Sequence, residues 1–245
     1  MLSNISDFGK GFPIAVVFSL GLPRSQQDNK FLRGENIFEL KESGGEHLNP
    51  KSLRKTAQLL EEEMKEFNDL LIGDYEDTYF NLTVKSHYSY TWISTFCRSN
   101  RPAVLFLDDD VPFSPWALKN ALHSMPQFHR SNLFHGKVET KSFAVRPGSL
   151  IFDNRWAVLK SEVPWPVYSP YLQGFYVLAG FKQVELLTLG MPFTKYFPIE
   201  DAWIGLVARR MNVTPRDIHV FMRRTDMLLS ERKGFEPVEK KVYVR

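Results

Sequence analysis

Short apolar runs alternate with longer stretches of helical period along the first half of the chain. The runs are rich in β-branched or large aliphatic residues, which is typical of buried strands, and they predict strands at residues 14–20, 70–75 and 103–107. In the other stretches the apolar side chains recur every three to four positions, and they predict helices at 48–69, 81–96 and 114–125. Ser114 as N-cap and Pro115 at the first helical position strengthen the last prediction.

The second half of the chain is more irregular. Residues 136–147 are hairpin-like, a proline-rich loop follows at 162–176, and helices are predicted near 182–189 and at 199–211. The order strand, helix, strand, helix, strand in the first half predicts a right-handed, mostly parallel, twisted sheet with helices on both faces. Ligands bind such sheets beyond the carboxyl ends of the strands, so this fold places residues 108–110 at the site.

Composition restricts the class of protein. The 245 residues, 43% hydrophobic and 24% charged, predict one domain with flexible termini at 1–11 and 231–245. A formal net charge of +3 is too small to indicate nucleic-acid binding. The single cysteine, Cys97, excludes an internal disulfide framework. The sequence also shows no run of about eighteen apolar residues of the kind that spans a membrane.

Three consecutive carboxylates follow the predicted strand 103–107. In an extended segment Asp108 and Asp110 point to one face and Asp109 to the other. Like charges this close destabilise a fold unless a cation neutralises them, and Mg²⁺ or Mn²⁺ binds through carboxylates together with substrate phosphates. Asp108 and Asp110 are therefore predicted to hold a metal and a diphosphate. The alternative is an acidic loop that caps the helix beginning at Ser114.

Glu200 and Asp201 open the predicted helix 199–211. A helix dipole favours negative charge at that end, so both residues could serve only to stabilise the helix. The functional alternative is that one of them is a general base, which takes the proton from an acceptor hydroxyl as that hydroxyl attacks an anomeric carbon. An inverting transfer needs only one such base, because a metal manages the diphosphate leaving group.

With these motifs in place, the chain resembles the β-1,3-galactosyltransferase-like family (glycosyltransferase family 31), which uses a GT-A fold. The resemblance extends from about residue 14 to about residue 223. Four segments match family motifs in the same order: FNDLLIGDYEDTYFNLTVKSHYSYTWISTFC (67–97), AVLFLDDDV (103–111), WPVYSPYLQGFYVLAG (165–180) and FPIEDAWIG (197–205). Each motif is weak by itself, but the four in order are specific.

The resemblance implies roles on the donor side. Asp110 would ligate Mn²⁺, and Asp108 would assist it. Asp108 and Asp109 would surround the ribose, the metal and the donor sugar of a UDP-sugar. Lys85 would lie near the donor, with a structural role as the alternative.

The resemblance also implies roles on the acceptor side. Asp201 would be the catalytic base, and Glu200 would contact hydroxyl groups of the donor or the acceptor. Tyr171 and Gly174 would belong to the wall that faces the acceptor glycan. These four residues lie in the third and fourth matching segments.

The sequence departs from the family pattern at several positions. The family's "C-S-G-G-G-Y" is here LQGFY (172–176), so a cysteine is absent, and Phe175 is a bulky residue within the motif. The family's upstream "R-x-x-I-R-x-T-W" segment is not visible before Ile14. His219 comes earlier than the family's late metal-binding histidine. The signal-anchor helix is also missing, which indicates a truncated form or a fragment.

We therefore expect an inverting hexosyltransferase that moves galactose, or N-acetylglucosamine, from a UDP-sugar to a glycan acceptor on a glycoprotein or glycolipid in β-1,3 linkage. The resemblance implies a type II membrane protein of the Golgi lumen in its full-length form. Sequons at Asn4, Asn81 and Asn212 are compatible with that location. The alternatives are a catalytically inactive relative that binds a glycan or a partner, and a carboxylate–metal phosphotransferase or nuclease.

Overall fold

A computed structural model of the chain describes residues 14–23, 30–40, 49–112, 114–150, 152 and 154–217. The predicted flexible termini, Asn4 and His219 lie outside these residues. The four segments that match family motifs lie within them. The strands are β1 (Phe18–Leu22), β2 (Lys30–Arg33), β3 (Asn36–Glu39), β4 (Leu70–Glu76), β5 (Ala103–Leu107), β6 (Phe134–Glu139), β7 (Tyr171–Gly180) and β8 (Arg216–Asp217). The helices are α1 (Pro50–Phe67), α2 (Leu82–Phe96), α3 (Pro115–Ser124), α4 (Gln127–Ser131), α5 (Phe181–Gly190) and α6 (Glu200–Arg210). No helix in this part of the chain is long and apolar enough to cross a lipid bilayer.

All five predicted helices are confirmed, with ends within about two residues of those predicted. Their caps explain this agreement. The side chain of Asn49 accepts hydrogen bonds from the backbone N–H groups of Lys51 and Ser52 at 3.1 and 2.9 Å and so begins α1. The hydroxyl of Ser114 accepts from Ala117 N–H at 3.3 Å and begins α3. Such caps satisfy backbone donors that the helix leaves free, and they depend on local sequence alone.

The described strands form three sheets: a parallel β1–β4 pair, an antiparallel β2–β3 hairpin and a four-stranded sheet of order β5-β7-β6-β8. In the largest sheet β7 runs antiparallel to both of its neighbours, and only β6 and β8 are parallel. The α/β class is confirmed, whereas these strands do not form the single, mostly parallel sheet that was predicted. The difference arises because β7 comes partly from the segment predicted as a loop.

Two local predictions are also wrong. Residues 136–147 do not form a hairpin, because β6 pairs with β7 and the chain beyond it makes only an isolated bridge between Phe143 and Val167. The first strand begins at Phe18 rather than at residue 14, and it is not buried. The side chains of Val16, Val17 and Phe18 are each more than a third exposed, because β1 pairs only with β4 among the described strands.

The main core lies where α6 packs against β7 and α5. Trp203 at its centre is fully buried. Gly205 allows the close approach of α6, since a Cβ there would lie 2.4 Å from Tyr171 Cβ and 2.8 Å from the carbonyl oxygen of Pro170. The buried hydroxyl of Thr83 in α2 donates to the Phe197 carbonyl at 2.7 Å and holds the segment that leads into α6. The position of α6 is therefore fixed from two sides.

The Gly205→Ala substitution tests this packing. The added methyl group must push α6 away from β7, so we expect the free energy of unfolding to fall by about 1–3 kcal/mol. Urea denaturation followed by circular dichroism measures the change. Leu189→Ala in α5, a largely exposed position, is the control and is expected to change it by less than about 0.5 kcal/mol. Equal stabilities of the two variants would contradict the assigned packing.

Candidate active site

Strand β7 brings the two acidic motifs together. Leu107, the last residue of β5, pairs with Tyr176, and the N–H of Asp108 donates to the Phe175 carbonyl at 3.1 Å. The next residue of β7, Gly174, faces the start of α6. A Cβ on Gly174 would lie 2.6 Å from Glu200 Oε1. The carboxylates that follow β5 and those that open α6 therefore meet at adjacent residues of one strand.

The carboxylate of Asp201 is held by backbone donors. It accepts from its neighbour Ala202 N–H at 2.6 Å and from the N–H of Gly174. The dipole of α6 adds to this stabilisation of negative charge at the helix N-terminus. Asp201 thus combines a fixed orientation with a position beside β7, the strand that pairs with β5 up to Asp108.

Burial is the largest influence on the acid pair, and it raises the pKa of both Glu200 and Asp201 above the ordinary carboxyl range. The charge of Asp201 raises the pKa of Glu200 further, and Asp108 raises both. The hydrogen bonds from Ala202 and Gly174 act in the opposite direction on Asp201. A carboxylate whose pKa lies closer to neutrality is a better general base than an ordinary one, so the pair has the electrostatic setting that base catalysis requires.

The triplet Asp108, Asp109 and Asp110 is exposed at the end of β5. The chain turns here, and Val111 N–H donates to the Asp108 carbonyl at 3.1 Å. Asp108 and Asp110 therefore do not share one face of an extended strand, and this prediction was wrong. The alternative role as a helix cap is filled by another residue, because the hydroxyl of Ser114 makes the observed cap of α3.

The chemistry of the triplet fits a divalent cation. Partial burial raises the pKa of Asp108, and the charges of Asp110 and then Asp109 raise it further, so a cation here would relieve repulsion. Mg²⁺ and Mn²⁺ prefer such carboxylate oxygens. Within the described ranges, no group of three or more His, Cys, Asp or Glu side chains is arranged to hold a metal by itself. The carboxylates of the triplet are thus suited to a cation that is bound by them and by a phosphate group of a ligand together.

Lys85 has a clear structural contact. Its Nζ lies 3.0 and 3.1 Å from the two carboxylate oxygens of Asp77. Asp77 in turn accepts from Gly21 N–H at 3.0 Å and donates its own N–H to the Leu22 carbonyl at 2.9 Å. The charge of Lys85 still lowers the pKa of Asp108. Lys85 therefore supports the ends of β1 and β4, and its charge also acts on the acidic triplet.

Tyr171 and Gly174, the two residues predicted on the acceptor side, occupy different environments. Gly174 lies beside Glu200, whereas Tyr171 is only 8% exposed and packs beneath α6 at Gly205. Burial raises the pKa of Tyr171 to about 12. The geometry thus brings Gly174 into the site and places Tyr171 in the supporting core.

Sequence reasoning missed two residues: Tyr79, on which the charges of the acid pair act, and Trp156, which is bonded to Tyr79. Burial, and then the charge of Glu200, raise the pKa of Tyr79 to about 12. The side chain of Tyr79 is hydrogen-bonded to that of Trp156, whose ring is 45% exposed. Tyr79 lies within one of the matching segments, so its motif was a usable signal. Trp156 lies between the segments and carried none.

Comparison with known proteins identifies the family to which the chain belongs. Residues 48–219 match the model of a protein family described as "Galactosyltransferase", a span that includes the triplet, β7 and the acid pair. This chain belongs to the galactosyltransferase family. The resemblance to glycosyltransferase family 31 is thereby confirmed.

Individual members of the galactosyltransferase family are distant in sequence. The chain is 28% identical over 163 residues to beta-1,3-galactosyltransferase 5 of Homo sapiens, which covers 65% of this chain and 49% of that protein. It is 27% identical over 177 residues to lactosylceramide 1,3-N-acetyl-beta-D-glucosaminyltransferase of Homo sapiens, which covers 71% of this chain and 44% of that protein. The chain spans about half the length of the curated relatives that it matches.

The raised pKa of Glu200 predicts a pH-dependent cost to the stability of this galactosyltransferase-family chain. A carboxyl group with a higher pKa in the folded than in the unfolded state destabilises the fold when ionised. That cost is absent below the ordinary glutamate pKa and grows as the pH rises through the raised value. Without added metal, Glu200→Gln is therefore expected to melt higher than the unmodified protein at pH 7.5, by about 2–4 °C for each ~1 kcal/mol removed.

Thermal denaturation between pH 5 and pH 8, at about one-unit intervals, measures the effect, and the difference in melting temperature should widen toward the alkaline end. Glu62→Gln, on the exposed side of α1, is the matched control and should track the unmodified protein throughout. A Glu200→Gln protein that melts lower at alkaline pH would refute the assigned cost.

Proposed function

We propose that this chain carries the catalytic part of an inverting hexosyltransferase, which moves galactose or N-acetylglucosamine from a UDP-sugar to a hydroxyl group of a glycan acceptor in β-1,3 linkage. One observation carries the proposal. An exposed carboxylate triplet and a partly buried carboxylate pair meet at adjacent residues of β7, through the Asp108–Phe175 hydrogen bond and the Gly174–Glu200 contact. A transferase that holds a diphosphate and deprotonates an acceptor needs both kinds of carboxylate side by side.

On the acceptor side, Asp201 is the proposed base. Its carboxylate is oriented by the N–H groups of Ala202 and Gly174, and its pKa is raised by burial, so it accepts a proton from a sugar hydroxyl more readily than a solvated aspartate. Glu200, beside Gly174, is placed to contact hydroxyl groups. Tyr171 is assigned a supporting role under α6, because little of its side chain reaches solvent.

On the donor side, Asp108 and Asp110 are the proposed holders of Mn²⁺, and Asp109 is proposed to contact the ribose or the donor sugar. When bound, the cation would supply positive charge to the diphosphate leaving group. Lys85 adds positive charge near Asp108 while it remains paired with Asp77.

The names of the relatives support the linkage type and leave the donor sugar open between two choices. One relative is named as a 1,3-galactosyltransferase and the other as a 1,3-N-acetylglucosaminyltransferase. A GT-A arrangement, a single catalytic domain and action in the Golgi lumen belong to the same proposal. Among the sequons, the Asn81 amide already donates to the Glu76 carbonyl at 2.9 Å, so this side chain has a structural use.

A pair of substitutions separates the two proposed roles. Asp201→Asn removes the base and is expected to lower kcat for sugar transfer by about 10²–10⁴-fold, while UDP binding in Mn²⁺ stays unchanged. Asp110→Ala removes a metal holder and is expected to weaken both transfer and UDP binding. Transfer is measured as UDP release with a panel of UDP-sugars and glycan acceptors, and UDP binding by calorimetry with Mn²⁺ and with chelator.

Glu66→Gln on the exposed side of α1 is the charge-matched control and should keep full transfer and UDP affinity. Normal transfer by Asp201→Asn would show that the base is another residue. UDP binding that is equally weak with and without Mn²⁺ would count against the enzyme and favour a family member that only binds a glycan or a partner.

Gly174→Ala tests the contact between β7 and the acid pair. Its methyl group would overlap Glu200 Oε1, so the carboxylate must move. Displacements of about 1 Å in a catalytic site lower rates by up to ~10²-fold, and we expect a loss of transfer approaching that size. Because the overlap involves the mobile end of a side chain, the melting temperature should change little. Full transfer by this variant would show that Glu200 does not need its observed position.

A further inference from the structure

The β2–β3 hairpin lies outside the residues 48–219 that match the family model, yet it is bonded to residues within that span. Arg33, at the end of β2, donates from Nη2 and Nε to Glu162 at 2.6 and 3.3 Å and from Nη1 to the Ala157 carbonyl at 3.0 Å. The side chains of Arg33 and Glu162 are only 11% and 19% exposed. Glu162 is itself fixed, because it accepts from Leu159 N–H at 2.7 Å.

The other side of Arg33 contacts aromatic rings. Its guanidinium lies over Phe38 of β3 at 4.4 Å and over Phe80 at 4.7 Å from the ring centres. Phe31 of β2 packs edge-on against Phe80 at 5.0 Å. Phe80 directly follows Tyr79, the residue beside the acid pair. One guanidinium therefore joins the hairpin to two stretches of the chain inside the matched span. One is Tyr79–Phe80 and the other is Ala157–Glu162.

These two segments carry Tyr79, on which the charges of the acid pair act, and Trp156, which is bonded to Tyr79. Ala157 and Val158 are fully buried and anchor the chain immediately after Trp156, which remains 45% exposed. The indole N–H, the only polar group of Trp156, is used in its hydrogen bond with Tyr79. The indole is thus held at its N–H edge while nearly half of the residue stays exposed. Tyr79, which holds it, lies just before α2, and Thr83 in the first turn of α2 is bonded to Phe197, three residues before Glu200. Flat, exposed rings of this kind stack on the apolar faces of pyranoses.

We infer that Arg33 is a positioning residue for the acceptor glycan: by clamping the hairpin to Ala157, Glu162 and Phe80, it fixes Trp156 and Tyr79 as the surface on which an acceptor sugar stacks beside Asp201. The inference rests on the proposed transferase function. It makes the hairpin, which the family model does not cover, a determinant of acceptor affinity. Lysine cannot replace Arg33, because a single ammonium cannot make the forked contact with Glu162 and also reach the Ala157 carbonyl between two rings.

Arg33→Met, Arg33→Lys and a matched control, Arg101→Met, test the inference. Arg101 makes the same kinds of contact elsewhere, an ion pair with Glu185 at 2.8 Å and a cation–π contact with Phe181. Two rates are measured in Mn²⁺: transfer with varied glycan acceptor, and hydrolysis of the UDP-sugar without acceptor, which reports the donor side alone. We expect Arg33→Met to raise the acceptor KM by about tenfold or more, with kcat and hydrolysis nearly unchanged.

Arg33→Lys should also raise the acceptor KM, and Arg101→Met should change neither rate. An unchanged acceptor KM in Arg33→Met overturns the inference. So does a parallel fall of transfer and hydrolysis that follows a loss of folded protein, because a merely structural role produces that pattern.

A second readout does not depend on turnover and separates this inference from the proposed function. The emission of Trp156 is obtained as the difference between each protein and its Trp156→Phe counterpart. Arg33→Met should shift this emission to longer wavelength, and Arg101→Met should leave it unchanged. If the unmodified protein neither transfers nor hydrolyses a UDP-sugar, the proposed function has failed, and an unshifted Trp156 emission would additionally overturn the positioning role of Arg33.

Discussion

The site depends on one close approach, that of the first turn of α6 to Gly174 in β7. Any side chain at position 174 would occupy the space of the Glu200 carboxylate, and the Gly174 N–H is one of the backbone donors that orient Asp201. The opposite edge of the same strand pairs with β5 and ends beside Asp108. A strand with a glycine at this point is therefore what allows acids from two distant parts of the sequence to lie close together.

Bringing these acids together opposes folding, and the surrounding core offsets that cost. Burial and mutual repulsion raise the pKa values of Glu200 and Asp201, so their ionised forms destabilise the fold. The same helix buries Trp203 completely, and Thr83 of α2 holds the Phe197 carbonyl just before it. An acid pair at the N-terminus of a helix that is this firmly packed cannot relax away from β7. Because the two carboxylates cannot move apart or into solvent, burial and repulsion keep their pKa values raised. A raised pKa is the property that a general base needs.

Local features were predictable from the sequence, and long-range pairing was not. Caps such as Asn49 and Ser114 and the apolar period fixed the helix ends, because both act within a few residues. The prediction of a single, mostly parallel sheet was wrong, because the partner of a strand depends on contacts between residues far apart in sequence. In addition, a proline-rich segment predicted as a loop supplied much of β7. The acid motifs were found by residue type and order, but the turn at Asp109–Asp110 and the burial of Tyr171 follow from packing. Trp156 was missed because its bond to Tyr79 and the bond of the adjoining Ala157 to Arg33 join parts of the chain that lie far apart in sequence.

The acids and the segment that carries Trp156 are held in place by different kinds of contact. The triplet, β7 and α6 lie inside the matched span, where they are held by backbone pairing and core packing. The ring of Trp156 is different, because the segment that carries it is tied to Arg33 by charged and aromatic contacts from outside that span. A change in the hairpin can therefore alter the acceptor side without disturbing the acids. Under the proposed function, the donor side and the acceptor side would then vary independently of each other.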